Sequence, residues 1–217
     1  VFLRGSPRDF DRWAQAGARG WGWDEVEPVF RALETWEGPP AEGRGTAGPV
    51  HVAAPRMSRA AAAFVEACVQ AGLPRNRDWN NGQPIDGAGP VQLNTRRGRR
   101  SSTAREYLKP ALGRPNLRLV TGAIATRIMI EGGRATGITA MTPAGERSYT
   151  ARRQVVVSAG AIETPKLLML SGIGDGTHLA EMGIETRLHA PDVGQNLQDH
   201  LIAKFILRTS PCGTINE

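Results

Sequence analysis

A run of four small residues, Ser158 to Ala161, is the stretch whose residue types suit the binding of a nucleotide. Backbone amides approach a phosphate group closely only where side chains are small. The run follows residues 154–157, an apolar segment that we expect to be a strand buried on both faces. Thr164 and Pro165 then predict the N-cap and first turn of a helix. A strand, a small-residue turn and a helix together are typical of ligand sites at the carboxyl end of a sheet.

The same turn is also what tight packing between a strand and a helix produces, so the motif by itself leaves both interpretations open. The phosphate-binding pattern G-x-x-x-x-G-K-[ST] does not occur in the sequence. We also expect no G-x-G-x-x-G fingerprint, and therefore no complete dinucleotide-binding domain within these residues.

Arginine supplies most of the positive charge. The chain has 27 basic and 21 acidic residues and a net charge of +6, and only Lys109, Lys166 and Lys204 are lysines. One dense cluster occurs, at Arg96–Arg100, while elsewhere arginine alternates with acidic residues. This distribution favours a solvated surface over a nucleic-acid partner. Three interpretations of residues 98–104 remain open: binding of phosphate by arginine, an exposed turn, and capping of a helix by the hydroxyl groups.

The cysteines and histidines are too scattered to predict a metal site or a disulfide framework. Cys68 and Cys212 form no Cys-x-x-Cys pair, and we expect Cys68 to be a small core residue. Asp199 and His200 could form an acid–base pair. Consecutive residues of a strand point to opposite faces, however, so a capping or loop role for Asp199 is favoured.

Apolar periodicity and capping residues predict helices mainly in the first half of the chain. They are residues 9–16 capped by Asp9, 25–34 capped by Asp24, 59–71 capped by Ser58, 101–112 opened by Ser101 or Ser102, and a later short helix capped by Thr177 and ending at Gly183. Loops are expected at 38–50 and 75–100, and a loop as long as the second is usually functional.

After Asn116 the apolar period changes to two, which predicts a β-meander. The expected strands are residues 117–119, 123–130, 135–141, one beginning at Glu146, the buried strand 154–157 and a final strand 201–207. The chain begins with Val1 instead of a methionine, inside a further expected strand and without a signal segment. This beginning suggests a fragment.

Several motifs extend over nearly the whole chain. They are Arg4-Gly5-x-Pro7-x-Asp9-Phe10-Asp11-x-Trp13; Gly17-Ala18-x-Gly20-Trp21; Asp78-Trp79-Asn80 with Gly82 and Gly87; Gly98-Arg99-Arg100-x-Ser102-Thr103-Ala104-x-x-Tyr107-Leu108; Arg114-Pro115-Asn116-Leu117; Gly160-Ala161-x-x-Thr164-Pro165-x-Leu167-Leu168-x-x-Ser171-Gly172-Ile173-Gly174; and Val193-Gly194-Gln195-Asn196-Leu197-x-Asp199-His200. In this order they resemble the glucose-methanol-choline (GMC) oxidoreductases, and the choline-dehydrogenase-like members most of all.

The resemblance implies an α/β fold. The chain would contain part of a Rossmann-like FAD-binding domain with a β-meander, interleaved with pieces of an α+β substrate and lid domain. Residues 1–115 would be lid and substrate-side segments, and 116–200 the meander and the strand–helix unit of the FAD domain. Residues 201–217 would begin the substrate-binding domain.

The resemblance also implies an FAD-dependent enzyme that removes the hydroxyl proton of a small alcohol, choline-like or another primary alcohol, and passes hydride to the flavin N5. The cofactor-binding positions carried over are Val1 beside the isoalloxazine ring, Ala125 at the adenine, and Ser158, Ala159 and Gly160 at the strand end. Many relatives have valine at the position of Ala125, so a backbone contact is expected there.

Other elements of the family pattern are expected outside these residues. A glycine-rich turn for the ADP half of FAD would precede Val1, and the catalytic histidine would follow Glu217. A catalytically inactive truncated chain or an arginine-rich nucleic-acid module are the alternatives. The expected location is the bacterial cytoplasm, with peripheral attachment to the inner membrane left open, and the oligomeric state is not predicted.

Overall fold

The computed structural model describes residues 1–83, 85–199, 201–204 and 206. The chain divides into two compact units. The first contains residues 1–118 together with Ile206, and the second contains residues 119–204. Among the described residues, no helix combines the length and the apolar composition needed to cross a bilayer.

The first unit begins with two helices, α1 (Pro7–Gln15) and α2 (Trp23–Leu33). Their apolar faces meet in an aromatic cluster, in which the buried ring of Phe10 lies 5.7 Å from the rings of both Trp23 and Phe30. The Phe10 and Phe30 rings meet edge to face, a geometry that adds to the free energy gained from burial.

The caps predicted for α1 and α2 are wrong by three and two residues, respectively. The N-cap positions are held by Ser6 and Gly22, and Asp9 and Asp24 lie in the first turns. An aspartate in the first turn is favoured by the helix dipole, so its presence marks the beginning of a helix without fixing the cap.

Two short strands follow, β1 (Glu34–Trp36) and β2 (Val50–Val52), which pair in parallel. The loop between them agrees with the prediction for residues 38–50. Helix α3 (Arg59–Gln70) comes next, and Ser58 Oγ accepts the N–H of Ala61 at 3.2 Å, which confirms the predicted cap.

The long segment predicted as a loop, residues 75–100, is irregular over most of its length. Its regular part is a hairpin of β3 (Thr95–Arg96) and β4 (Arg99–Arg100). Arg97 and Gly98 form the turn with φ values of 50° and 73°, the left-handed conformation that tight hairpin turns require. A π-helical turn, Ala104–Leu108, then runs into α4 (Lys109–Ala111), in the region predicted to be helical.

The second unit contains the predicted meander. Strands β5 (Ile124–Glu131), β6 (Arg134–Thr142) and β7 (Gly145–Thr150) form an antiparallel sheet in that order. The unit continues with α5 (Glu163–Leu170), β8 (Ile173–Gly174), α6 (Gly176–Glu181) and β9 (Leu188–His189). Strands β8 and β9 pair in parallel.

Two caps in the second unit differ from those predicted. Ile162 occupies the N-cap position of α5, and Thr164 lies within the helix. Asp175 caps α6 in place of Thr177, because its Oδ1 accepts the N–H groups of Thr177 and His178 at 2.8 and 3.4 Å. Gly183 has φ +68° just after this helix, consistent with the predicted end.

Four predicted strands do not form within the described residues. Residues 117–119, 154–157 and 201–204 have no strand partner there, and Val1 lies in a segment without strand assignment. A strand exists only as part of a hydrogen-bonded ladder, and an apolar pattern does not supply its neighbour. Val156 is accordingly 73% exposed instead of buried on both faces. Phe205 and Leu207, at the end of the predicted final strand, lie outside the described residues.

Candidate cofactor-binding site

The turn from Ser158 to Ala161 is exposed, and hydrogen bonds to Thr164 of α5 fix its conformation. Thr164 Oγ1 accepts the N–H of Ala159 at 3.1 Å, and the Gly160 carbonyl accepts the N–H of Thr164 at 3.1 Å. Gly160 has φ +96°, and a Cβ built on it would meet no atom within 4 Å. The turn therefore presents accessible backbone in a conformation that favours glycine.

Ala125 lies on the edge strand of the meander. It is exposed, and the register between β5 and β6 shifts between Ala125 and Arg127, which marks a β-bulge. An edge strand leaves half of its N–H and C=O groups turned away from its neighbour. A bulge re-aims these groups and often occurs beside a ligand site. The strand can thus offer its backbone at the position where an adenine contact is expected.

Further along β5 the outer edge is covered by the segment that follows α5. Ser171 Oγ accepts the N–H of Ile128 at 2.8 Å and donates to the Leu167 carbonyl at 2.6 Å. Arg187 Nη1 donates to the Ile130 carbonyl at 2.8 Å. Both Ser171 and Ile128 are buried. The end of α5 is consequently fixed to the edge of the meander.

Gly172 permits this close approach. It has φ +86°, and a Cβ there would lie 2.5 Å from the Glu185 carbonyl oxygen. Its own carbonyl accepts the N–H groups of Arg187 and Leu188 at 2.8 and 3.1 Å. The Ser-Gly pair of the motif thus has a structural role, which is to join α5, β5 and β9.

Helix α5 therefore connects two of the expected cofactor-binding elements within one unit. The turn Ser158–Ala161 precedes its beginning, and Ser171 at its end is bonded to the strand that carries Ala125. The eight residues of the helix span about 12 Å. Ser171 belongs to one of the sequence motifs, but no local signal in the sequence identifies its partner.

These elements suit the adenosine and phosphate portions of FAD. The turn has small side chains and a free approach to Gly160, and Val156 and Ile162 beside it are exposed apolar residues. Backbone N–H groups at a small-residue turn bind phosphate oxygens, and apolar side chains cover the faces of an adenine or ribose. The residues present therefore fit the group that the family resemblance implies.

Val1 lies in the other unit, in a segment of residues 1–6 that has no helix or strand assignment. This segment forms no strand because its backbone is bonded largely by side chains. Asn80 Oδ1 accepts the N–H of Arg4 at 2.7 Å, and Asn80 Nδ2 donates to the Phe2 carbonyl at 3.0 Å. The Phe2 N–H donates to the Gln92 carbonyl at 2.8 Å. Asn80 belongs to one of the motifs that carry the family resemblance, but its role is visible only in the folded chain.

A buried ion network lies directly behind this segment. The Glu34 carboxylate accepts from Arg4 Nη2 at 2.6 Å and from Arg44 Nε at 2.9 Å. Arg44 Nη1 also donates to Asp78 Oδ1 at 2.7 Å, and its guanidinium lies 4.0 Å from the Trp36 ring centroid. Two arginines thus face two carboxylates, which compensates the buried charge.

Burial and pairing act in opposite directions on these arginines. Burial lowers the pKa of Arg4, and the attraction of Glu34 only partly offsets this effect. Burial also lowers the pKa of Arg44, but hydrogen bonds to Glu34 and Asp78 raise it by more, so its pKa is raised overall. Arg4 Nε has no hydrogen-bond partner among the described residues.

The spacing G-x-G-x-x-G does occur, contrary to the expectation from the sequence, at Gly43–Gly48. It lies in the loop between β1 and β2 and opens no helix. A Cβ on Gly45 would lie 2.1 Å from the Arg31 carbonyl oxygen, and a Cβ on Gly48 would lie 2.1 Å from the Leu33 carbonyl carbon. These glycines allow the loop to pack against the end of α2, and they do not form a phosphate-binding turn.

The arginine cluster and the serines that follow it have different environments in the structure. Arg97, Arg99 and Arg100 are exposed on the hairpin. Ser102 Oγ accepts the N–H of Arg105 at 3.3 Å, which supports a capping role. Ser101 Oγ instead accepts the N–H of His51 at 3.0 Å and lies 3.0 Å from Glu106 Oε1.

The remaining candidate residues carry no site within the described part of the chain. Cys68 is only half-buried, so it is not the core residue expected. No group of three or more metal-binding side chains occurs among the residues that the structure describes. His200 and Cys212 lie outside those residues, so the capping or loop role favoured for Asp199 over a pairing with His200 stays a prediction.

Comparisons with known proteins identify the family. The GMC oxidoreductase family matches residues 1–202. The chain is 46% identical over 202 residues to an oxygen-dependent choline dehydrogenase of Sinorhizobium fredii, which covers 93% of this chain and 36% of that protein. It therefore spans about a third of the length of this relative.

Solved structures agree with this result. Pyridoxine 4-oxidase from Mesorbium loti has a TM-score of 0.80 at 38% identity, covering 88% of this chain and 38% of that one. An FAD-dependent oxidoreductase from Chaetomium thermophilum has a TM-score of 0.80 at 30% identity, covering 92% and 37%. The expected cofactor, FAD, and the expected class, an oxidoreductase, are thereby confirmed for the family. The chain belongs to the GMC oxidoreductases.

Proposed function

We propose that this chain contributes cofactor-binding elements to an FAD-dependent enzyme that oxidises the CH–OH group of a small alcohol. The observation that carries the proposal is the arrangement around α5. An open glycine turn precedes the helix, and the C-terminal end of the helix is hydrogen-bonded to the edge strand that carries Ala125. Two backbone sites are thus fixed relative to each other on one rigid element, as the binding of an extended dinucleotide requires.

Within this proposal each element has a distinct role. The turn Ser158–Gly160 binds phosphate or ribose oxygens through its backbone, and Ala125 binds the adenine through its main chain. Val1 lies beside the isoalloxazine ring. When bound, FAD supplies a hydride acceptor at its N5. We assign cofactor binding to this chain and not proton transfer.

For the substrate we propose choline or another primary alcohol. The choline dehydrogenase and pyridoxine 4-oxidase relatives support this choice. The bacterial cytoplasm remains the expected location, in keeping with the same resemblance. A test with choline, pyridoxine and simple alcohols as electron donors to an artificial dye distinguishes among these substrates.

Gly160 offers a sharp test of flavin binding. Gly160 and Gly145 both have φ +96°, and a Cβ on either meets no atom within 4 Å. A valine at either position costs a similar amount, roughly 1–3 kcal/mol of backbone strain. Gly145 is the first residue of β7, directly after the β6–β7 turn of the same unit, so Gly145→Val is a matched control.

We expect Gly160→Val to weaken FAD binding roughly 10- to 100-fold, because one or two charge-assisted backbone hydrogen bonds are lost. Gly145→Val should bind FAD normally. The measurement is the flavin-to-protein absorbance ratio and an FAD titration of each folded variant, made in the protein expressed from its complete gene. Equal flavin content in the folded Gly160→Val protein would contradict the proposed role of the turn.

A further inference from the structure

The side-chain amide of Asn80 bonds to the backbone of residues 2–4 as a neighbouring strand would. Its Oδ1 accepts the N–H of Arg4 at 2.7 Å, and its Nδ2 donates to the carbonyl of Phe2 at 3.0 Å. The N–H of Phe2 is bonded in turn to the Gln92 carbonyl at 2.8 Å. Three backbone groups on one side of the segment, the N–H and C=O of Phe2 and the N–H of Arg4, are therefore fixed by hydrogen bonds.

The orientation of this amide is determined by its surroundings. The Asp78 carboxylate only accepts hydrogen bonds, so Gln92 directs Nε2 towards it at 3.0 Å. Gln92 Oε1 is then left to accept from Asn80 Nδ2. Asn80 Oδ1 must consequently face the N–H of Arg4. Asn80 is 1% exposed, so no water competes for these bonds.

The bonded segment presents two apolar side chains outward. Phe2 and Arg4 face the interior, and Arg4 ends in the buried pair with Glu34. Val1 and Leu3 are 74% and 48% exposed. Exposure alternates along residues 1–4 as it does in a strand, whose side chains point to opposite sides in turn, so fixing one side also fixes the direction of Val1 and Leu3.

We propose that Asn80 is a positioning residue for the flavin ring. It holds residues 2–4 in register so that the outward side chains of Val1 and Leu3 pack against the isoalloxazine system. This inference rests on the proposed function, from which the place of Val1 beside the ring is taken. Asn80 acts through the segment and does not itself touch the cofactor.

Asn80→Asp tests the proposal with almost no change in shape. The substitution replaces the Nδ2 donor with an acceptor that faces the Phe2 carbonyl and Gln92 Oε1. The segment should separate from residue 80, and the amides of Phe2 and Arg4 should exchange with solvent roughly tenfold faster or more. Asn116→Asp is the matched control, because Asn116 is exposed.

The flavin spectrum distinguishes positioning from a purely structural role. FAD should remain bound in Asn80→Asp, because its adenosine half contacts other residues. We expect its visible absorbance bands to broaden towards those of free FAD and its fluorescence to rise. We also expect kcat for alcohol oxidation to fall roughly tenfold or more with little change in KM. Asn116→Asp should match the unsubstituted protein in all of these.

Asn80→Ser is the second variant, in case the added charge near Asp78 prevents folding. Its hydroxyl introduces no charge and is too short to reach both Phe2 and Arg4, so a smaller change in the same direction is expected. Faster amide exchange with an unchanged flavin spectrum and kcat in either folded variant would overturn the proposal. So would unprotected Phe2 and Arg4 amides in the unsubstituted protein. If the unsubstituted protein binds no FAD, the proposed function itself fails.

Discussion

Ser171 and Ile128, which are 43 positions apart, are joined by a buried hydrogen bond of 2.8 Å from the Ile128 N–H to Ser171 Oγ. This bond closes the outer edge of β5 at the point where α5 ends. The strand that carries Ala125 and the helix that follows the glycine turn therefore form one body. If either element shifts, the spacing between the two backbone sites changes.

Ser171→Ala should reveal this coupling. It leaves the Ile128 N–H buried without an acceptor, which costs about 1–3 kcal/mol in the free energy of unfolding. We also expect weaker binding of FAD, because the spacing of its two sites is no longer fixed. Urea denaturation and an FAD titration measure the two effects. Ser148→Ala on the exposed face of β7 is the control, and a Ser171→Ala protein as stable as this control would contradict the interpretation.

Glu34→Gln should be among the most destabilising single changes in the first unit. Glu34 is buried between Arg4 and Arg44, and without its charge two buried guanidiniums face a single carboxylate. Removing one partner of a buried ion pair costs about 3–5 kcal/mol. The surface pair of Glu66 and Arg75 provides the comparison, because Glu66→Gln should cost only about 0–1 kcal/mol. Similar losses for both variants in thermal or urea unfolding would show that the buried network contributes little.

Asp175 predicts a dependence of α6 on pH. Hydrogen bonds from the N–H groups of Thr177 and His178 lower the pKa of Asp175 below the usual value for an aspartate, and the charges of His189 and His178 lower it further. A lowered pKa means that the carboxylate stabilises the folded state above its unfolded pKa. That stabilisation is lost as the pH falls through the folded pKa, hence below about pH 4.

NMR measures the titration of the Asp175 carboxyl group directly. Asp175→Asn keeps a capping oxygen but removes the charge. The difference in stability between this variant and the unsubstituted protein should therefore shrink as the pH falls below about 4. A constant difference across this range would contradict the assignment.

Because Val156 is exposed, we expect the chain to aggregate when residues 1–217 are purified alone. The apolar segment 154–157 has no strand partner among the described residues, and Val156 is 73% exposed. Unpaired apolar strands template aggregation, and a lysine on such an edge opposes it. Val156→Lys should therefore reduce the aggregated fraction in size-exclusion chromatography and light scattering. Thr150→Lys, on the neighbouring exposed end of β7, serves as the control and should have no such effect.

Local signals in the sequence predicted the elements that depend on local physics. Ser58 caps α3, and the strands predicted at 123–130 and 135–141 form on either side of the left-handed glycines 132 and 133, because capping and tight turns involve only a few neighbouring residues. The turn at Gly160 was found for the same reason. The strand predicted at 154–157 was wrong, because an apolar run does not specify the partner that a strand requires.

The contacts that the sequence did not predict all join distant positions. Arg4 and Glu34 are 30 positions apart, and Arg4 and Asn80 are 76 apart. In the sequence each resembles an ordinary solvated polar residue, since charged groups are mostly exposed. Only the folded chain shows that they are buried together. The motif containing Asp78, Trp79 and Asn80 was a signal that these positions mattered, but it did not state how.

The parallel pairing of β1 with β2 limits how this region can change in length. Parallel neighbours normally require a crossover of a dozen or more residues that contains a helix. Here a loop makes the crossover, and the Arg44 guanidinium, stacked on Trp36 and bonded to Glu34, fills the space beside the strands. Insertions should be tolerated only at the exposed tip, residues 40–42, where a tag or a label can be introduced without disturbing the buried charges.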